Sequence, residues 1–203
     1  MAEKYGFFDG ETLYGQDELL RYYDNIFESG IAVNDDGEMA YKVTAGSGNV
    51  QVAKGYAILR GAYNYNDSPK TIAIKPDTNY KRIDRVVLRL DYSAKTCTIE
   101  LKQGTASSAP TPPTLQQDNI RHELSLAQVA VGTAGDLTVT DERYRQELCG
   151  AIRPKYLTEI DTMLQDFETT FDNWFNKQTT KGWTPIVVQE NTPSDPVRGM
   201  IWI

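Results

Sequence analysis

The sequence predicts a mainly β protein: an N-terminal helix plus a β-sandwich or jelly-roll-like domain, followed by a C-terminal coiled-coil helix and a short β-hairpin tail. Three observations predict it. The stretch RIDRVVLRLDY, Arg82–Tyr92, alternates apolar and polar residues and is followed across a short polar segment by a second alternating run, Cys97–Lys102. That is the pattern of a hairpin of half-buried strands. Short runs rich in β-branched and aromatic residues, broken by Gly, Asn, Asp and Pro, recur from Ile31 to Thr78, the spacing of a small sheet pair. From Leu157 to Trp174 apolar residues recur at steps of three and four, an a/d heptad seam.

Tyr5–Tyr14 mixes aromatics with glycine and reads as an irregular arm. Gln16–Ser29 follows as the first helix. Asp17 and Glu18 suit its positive end, and Leu19, Tyr23, Ile26 and Phe27 make one apolar stripe. Gly30 is placed to end it. Strand candidates come next: Met39–Val43, Val50–Ala53, Tyr56–Arg60, Gly61–Asn66 and Thr71–Ile74. The turn Asn34-Asp35-Asp36-Gly37 precedes them.

In the central strand Val86, Leu88, Leu90 and Tyr92 share the core face. Arg85, Arg89 and Asp91 share the other, patterned as a solvated or interface face. Gly104–Thr114, GTASSAPTPPT, is an extended proline-rich loop that either crosses between sheets or is exposed for contact. Arg121–Val131 is read as a strand with Leu124, Leu126 and Gln128 on one side and Ser125, Ala127 and Val129 on the other. Leu137–Thr140 is the last strand of the domain.

Pro154 is placed as a first helical residue. Beyond it Leu157, Ile160, Leu164, Phe167, Phe171 and Trp174 form the seam, widened by Tyr156, Met163 and Phe175. A lone helix of this length is marginal, so the stripe must be covered. Packing onto its own sheet domain competes with self-association as a parallel coiled coil. The regular spacing and bulky aromatics favour self-association, in three strands rather than two. After Gly182, Ile186-Val187-Val188 and Met200–Ile203 flank a Pro-rich turn and suggest a hairpin. Trp183, Ile201, Trp202 and Ile203 are the candidates for distal docking. The expected organisation is a β-rich domain over 1–150, an oligomerising helix over 151–178 and a tail over 179–203.

Composition narrows the function. A net charge of −7 argues against a nucleic-acid partner, which needs a basic face. Met1–Gly10 has no apolar run after a basic start, and no stretch is apolar enough for a bilayer span, so neither secretion nor membrane insertion is expected. Cys97 and Cys149 are expected as reduced thiols, with a disulfide between them left open. The single histidine, His122, lies in a strand beside Glu123, and neighbouring strand residues point to opposite faces, which denies them an acid/base partnership. HExxH, GxSxG, CxxC, P-loop and GxGxxG motifs are all missing. Asp35-Asp36 lacks the alternating oxygens of a calcium loop. No enzyme activity, cofactor or metal is expected. Tyr63, Tyr65 and Tyr80 offer an alternative role as a saccharide platform, against ordinary packing.

Four segments in sequence order carry a resemblance. GYAILRG at Gly55–Gly61, RIDRVVLRLD at Arg82–Asp91, the proline-rich Lys102–Leu115 and the D-x-R ending of Leu124–Arg143 resemble a module of tail and baseplate structural proteins of phages of Gram-positive bacteria. The likeness covers about Tyr5 to Gly150. The ending PVRGMIWI is similar to short elements of phage fibre and appendage proteins. The resemblance implies a virion component of the tail tip or baseplate, assembled in the host cytoplasm, without enzyme activity. It implies an oligomer at the tail tip that anchors or carries host-adsorption machinery; together with the three-stranded seam, the expectation is a homotrimer that connects other tail proteins to fibres or receptor-binding proteins. Copies of such a module pack side by side, which makes Arg85, Arg89 and Asp91 candidate subunit contacts. Larger relatives continue past the helix into a receptor-binding head, so the expectation here is an adaptor. The alternative is the receptor-binding tip itself, recognising host cell-wall saccharide.

Overall fold

The computed structural model describes residues 15–180, 186–187 and 201–202. The chain divides between Lys155 and Tyr156 into two compact units. The first contains α1 (Gln16–Ile26) and the strands β1 (Gly30–Ile31), β2 (Val43–Ala45), β3 (Asn49–Val52), β4 (Gly55–Leu59), β5 (Ala62–Asn66), β6 (Lys70–Ala73), β7 (Arg82–Asp91), β8 (Thr96–Lys102), β9 (Arg121–Val131) and β10 (Leu137–Asp141). The second contains α2 (Thr158–Thr180), β11 (Ile186–Val187) and β12 (Ile201–Trp202).

The first unit is mainly antiparallel β, as its short alternating runs require. Its strands are shared among three sheets, ordered β10-β9-β7-β8, β2-β3-β6 and β1-β4-β5, rather than gathered into the two facing sheets of a sandwich or jelly roll. One core joins all three. Ile31, Tyr41, Val50, Val52, Ala57, Leu59, Val86, Leu88, Leu124 and Val129 are buried in it together. Each such aliphatic side chain contributes on the order of 1.5–3 kcal/mol on full burial.

β7 lies inside its sheet, paired with β8 on one side and β9 on the other. Its burial corrects the sequence expectation. Both faces are covered: Arg82, Asp84, Arg85 and Asp91 are buried along with Val86 and Leu88. β9 carries a second correction. Val86 pairs with Ala127 and Val87 with Ser125, which leaves Leu126 as the extra residue of a bulge. The bulge resets the alternation. Ala127 and Val129 join Leu124 on the apolar face, while Gln128 joins Ser125 on the polar one. A one-residue shift moves every later side chain to the other face.

β8 is an edge strand, and its outer edge is blocked. Asn64 Nδ2 donates to the Cys97 carbonyl at 2.8 Å and Lys70 Nζ to the Ile99 carbonyl at 2.7 Å. Capped carbonyls give a foreign strand little to pair with.

α1 stops at Ile26, three residues short of the expected end, because the chain after it is claimed by β-type pairing. Phe27 is extended and bridges Pro154, the Glu28 N–H donates to the Arg153 carbonyl, and the Lys155 N–H returns to the Ile26 carbonyl. The same pairing corrects Pro154, which is a bridge residue of the first unit and not the start of α2. Gly30 is no helix cap either. It sits in β1, where a Cβ would lie 2.5 Å from the Ala151 backbone. Arg60-Gly61 forms the two-residue turn between β4 and β5, with both residues at positive φ. A Cβ on Gly61 would strike the Leu20 carbonyl of α1 at 2.0 Å, so only glycine lets the helix rest on this turn.

In the second unit β11 and β12 are parallel, with Ile186 opposite Ile201 and Val187 opposite Trp202. Parallel neighbours cannot be joined by a tight turn, so the expected hairpin is corrected to a parallel pair. Tyr5–Tyr14, Trp183 and Ile203 lie outside the described residues.

Candidate functional site

The charged segments that stand out in the sequence act inside the first unit. In the RIDR stretch, Arg82 Nε donates to Asp84 Oδ1 at 2.9 Å and its Nη2 to the Lys75 carbonyl at 2.5 Å, while Asp84 Oδ1 also accepts the Gly104 N–H at 2.9 Å. Residues two apart on a strand share a face, so Arg-x-Asp places both charges together and pins the start of the proline-rich loop to β7. That loop is also tied at its far end, where the Gln116 N–H donates to Glu123 Oε2 at 2.7 Å. The D-x-R ending repeats the device. Arg143, 1% exposed, holds Asp141 through Nε and Nη2 and donates through Nη1 to the carbonyls of Met39 and Ala40. It thereby fixes the segment before Tyr41, whose φ is +59°.

Arg85, Arg89 and Asp91 are each engaged within the domain. Arg85 Nε lies 3.4 Å from Glu142 Oε2, and the same carboxylate accepts from Ser125 Oγ and Gln128 Nε2. Arg89 bridges Glu123, at 2.8 Å, and Glu100. Asp91 pairs with Arg121 at 2.7 Å and caps the Ser93 and Ala94 N–H groups. Burial alone would raise the Glu123 carboxyl, but Lys102, the Gln116 N–H and Arg89 outweigh it and hold it below the ordinary carboxylate range. The Ala94 N–H, then Arg121, hold Asp91 below it too. Arg85 and Asp91 are thus covered within the domain, Arg85 by an ion pair in which its Nε has no hydrogen bond. Of the three only Arg89 keeps appreciable exposure, at 19%.

The chemistry expected to be missing has a clear geometry where the residues are described. His122 and Glu123 point to opposite faces of β9, His122 beside Leu90 and Glu123 beside Arg89. Both cysteines are free, and burial pushes each thiol up to about 12, far from a reactive thiolate. Among the described residues no cluster of His, Cys, Asp and Glu could hold a metal ion.

Besides Tyr22 and Tyr23 of α1, two exposed aromatic surfaces stand out among the described residues. On α2, Ile160, Met163, Leu164, Phe167, Phe171, Trp174 and Phe175 are 43–67% exposed. Phe171 is central, with its ring 6.4 Å from Phe167, 5.9 Å from Trp174 and 6.3 Å from Phe175. Leu157 falls just ahead of the helix, and its carbonyl accepts the Asp161 N–H. The second surface is on the β4–β5 hairpin. Tyr56 and Tyr65 are cross-strand partners, and Tyr56 and Tyr63 stack at 6.0 Å and 18°. Tyr63 and Tyr65 are 66% and 68% exposed. Tyr80 belongs instead to the Asp77 turn before β7. Tyr56 is the member that reading from sequence missed. Counting register outward from Arg60-Gly61 places it opposite Tyr65. Ile201 and Trp202 are in β12.

No family model matches the chain, and no curated protein matches it. Among solved structures, the gene 22 product of the Bacillus subtilis SPP1 phage is similar over 52% of this chain and 84% of its own, at 15% identity and a TM-score of 0.34. A likeness that slight carries no argument about role.

Proposed function

We propose that this chain is a non-enzymatic structural protein of a phage tail tip or baseplate, a homotrimeric connector that self-assembles through α2 and holds host-adsorption fibres or receptor-binding proteins. The observation that carries the self-assembly is the exposed apolar seam of α2. A buried aromatic side chain covers about 150–250 Å². Four half-exposed aromatics and three aliphatics therefore offer on the order of 600–700 Å² per copy, close to the ~800 Å² per partner of a stable interface. A stripe this wide and this aromatic suits three helices better than two. Threefold closure fits the rotational symmetry of a tail, and three linked copies bind a symmetric neighbour with avidity. The virion placement rests on the sequence resemblance of the first unit.

Light scattering on the full chain tests the assembly. Three times the 22.8 kDa chain mass is expected. The double substitution Phe167→Asp, Phe171→Asp should give a folded monomer with unchanged circular dichroism from the first unit. Wild-type protein that is monomeric at tens of micromolar, or a double variant that keeps the wild-type mass, overturns the assembly reading. Immunogold labelling of virions reads the placement, which fails if label falls anywhere but the tail end.

A further inference from the structure

His122 is buried in β9 with its Nδ1 unpartnered. It pairs across the sheet with Leu90, which lines a cleft of about 720 Å³ between α1, the start of β5 and the β7–β8 turn. Leu19, Leu20 and Tyr23 of α1 line the same cleft. The charges that bear on the ring come from three elements: Arg60 from the β4–β5 turn, Asp24 from α1 and Glu123 from β9 itself. Tyr92, just past β7, faces the same Arg60 and Asp24.

None of these groups is placed to receive a protonated ring. Glu123 points to the other face of β9, where Lys102, the Gln116 N–H and Arg89 already hold it. Asp24 lies 3.5 Å from Lys155 Nζ. Arg60 carries the same sign as an imidazolium. A buried charge without a partner is costly, and admitting water is the cheapest relief.

The elements around His122 are held unequally. β7 and β9 are buried along most of their length and pair with each other throughout. No residue of α1 is buried, and Leu19, Tyr23 and Ile26 are exposed. The helix rests on the turn that carries Arg60, where the Leu20 carbonyl lies against Gly61. Charge on His122 pushes Arg60 and, with it, the seat of the helix. Local opening takes the least buried element first.

We propose that His122 is an acid-sensitive latch for α1: its protonation at mildly acidic pH releases the helix and opens the cleft beneath it, while β7 and β9 stay paired. The sign follows from the ring being neutral when α1 is closed and free to take a proton when water enters. The closed state is therefore favoured above about pH 6.5 and is lost as pH falls below it. The latch lies in the first unit and needs neither the self-assembly nor the virion placement proposed above, so either can fail alone.

The test is hydrogen–deuterium exchange of the full-length protein at pH 7 and pH 5, with rates corrected for the intrinsic pH dependence of exchange. Protection of α1 should fall at least about fivefold and at most about 25-fold, the limit for an open state with an ordinary histidine, while β7 and β9 keep theirs. His122→Gln should make the α1 protection independent of pH. Arg60→Gln, a change at an exposed turn residue, should leave a smaller fall, because the repelling cation is gone. Equal α1 protection at both pH values overturns the proposal. So does a pH dependence that survives His122→Gln, a fall in Arg60→Gln as large as in wild type, or a loss of protection shared equally by α1, β7 and β9, which would mean that the whole unit opens and α1 is no separate latch.

Discussion

Arg143→Met measures how far a conspicuous surface-type charge can be a folding element. Methionine keeps the approximate bulk of the side chain and removes its five donors. Two carbonyls, those of Met39 and Ala40, then lose the Arg143 Nη1 donor in a site where the arginine itself is 1% exposed. A buried acceptor left without a partner costs about 1–3 kcal/mol. Asp141 adds little, since its side chain is 43% exposed and regains water. The net expectation is a loss of about 3 kcal/mol, a large part of the 5–15 kcal/mol typical of a domain. For a domain of this size it corresponds to a fall in Tm of about 6–12 °C. The assay must follow the first unit. Trp174, Trp183 and Trp202 all lie beyond Lys155, so tryptophan fluorescence would miss it, and urea unfolding followed by far-UV circular dichroism is the appropriate probe. Arg145→Met is the control: its 2.8 Å pair with Glu147 is exposed at both ends, and its second partner, buried Glu142, lies at 3.8 Å and keeps Ser125 and Gln128, so the change should stay within about 0.5 kcal/mol. If Arg143→Met lies within about 1 kcal/mol of wild type, the staple account of the D-x-R ending is wrong.

Two further outcomes follow from charge. His122 is buried with Nδ1 unpartnered, and burial first, then Arg60, lower its proton affinity below that of an ordinary histidine. The unfolded chain therefore takes up the proton first, and stability present above about pH 6.5 is lost as pH falls below it, by at most about 1.4 kcal/mol per pH unit; His122→Gln should flatten urea midpoints measured between pH 7 and 5, and a wild-type profile already flat there refutes the account. On α2, Glu159, Asp161, Asp166, Glu168 and Asp172 face only Lys177 in helix charge balance, so bringing three copies together concentrates negative charge. Raising salt from 0.05 to 0.5 M (a Debye length falling from about 14 to about 4 Å) should strengthen the assembly in sedimentation, and dissociation by salt would instead mean that ion pairs hold it.

The strands were the most legible part of the fold, for a physical reason. Alternation specifies which side chains share a face, and in β7 and β9 that signal was long enough to mark both strands at nearly their full extent. What covers a face is a tertiary matter, so Arg85 and Asp91 looked exposed when the segments around Glu142 and Arg121 were already waiting for them. The bulge at Leu126 escaped because it depends on the partner strand. A strict period of two places Ala127 with Ser125, and only the β7 register separates them. Pro154 misled in the same manner. Its sequence suits a helix start, but its place is decided by Phe27, more than a hundred residues away. The candidate surfaces divide likewise. The α2 seam is a local period and was read from sequence, whereas the tyrosine run needs the Arg60-Gly61 turn to bring Tyr56 opposite Tyr65.

These differences decide how any variant of this protein should be interpreted. The residues that carry the sequence resemblance, Arg82, Asp84, Asp141 and Arg143 among them, hold backbone carbonyls, loop N–H groups and one another. Changing them alters the stability of the first unit, and a loss of assembly or binding that follows reports unfolding. The exposed aromatics behave in the opposite way. Phe167 and Phe171 on α2, and Tyr63 and Tyr65 on β5, are at least half exposed, so removing them takes little from the folded chain. A phenotype there reports an interaction. The two aromatic surfaces belong to different units, which lets the helix be tested for self-association and the hairpin for ligand binding in the same full-length protein, each serving as the other's control.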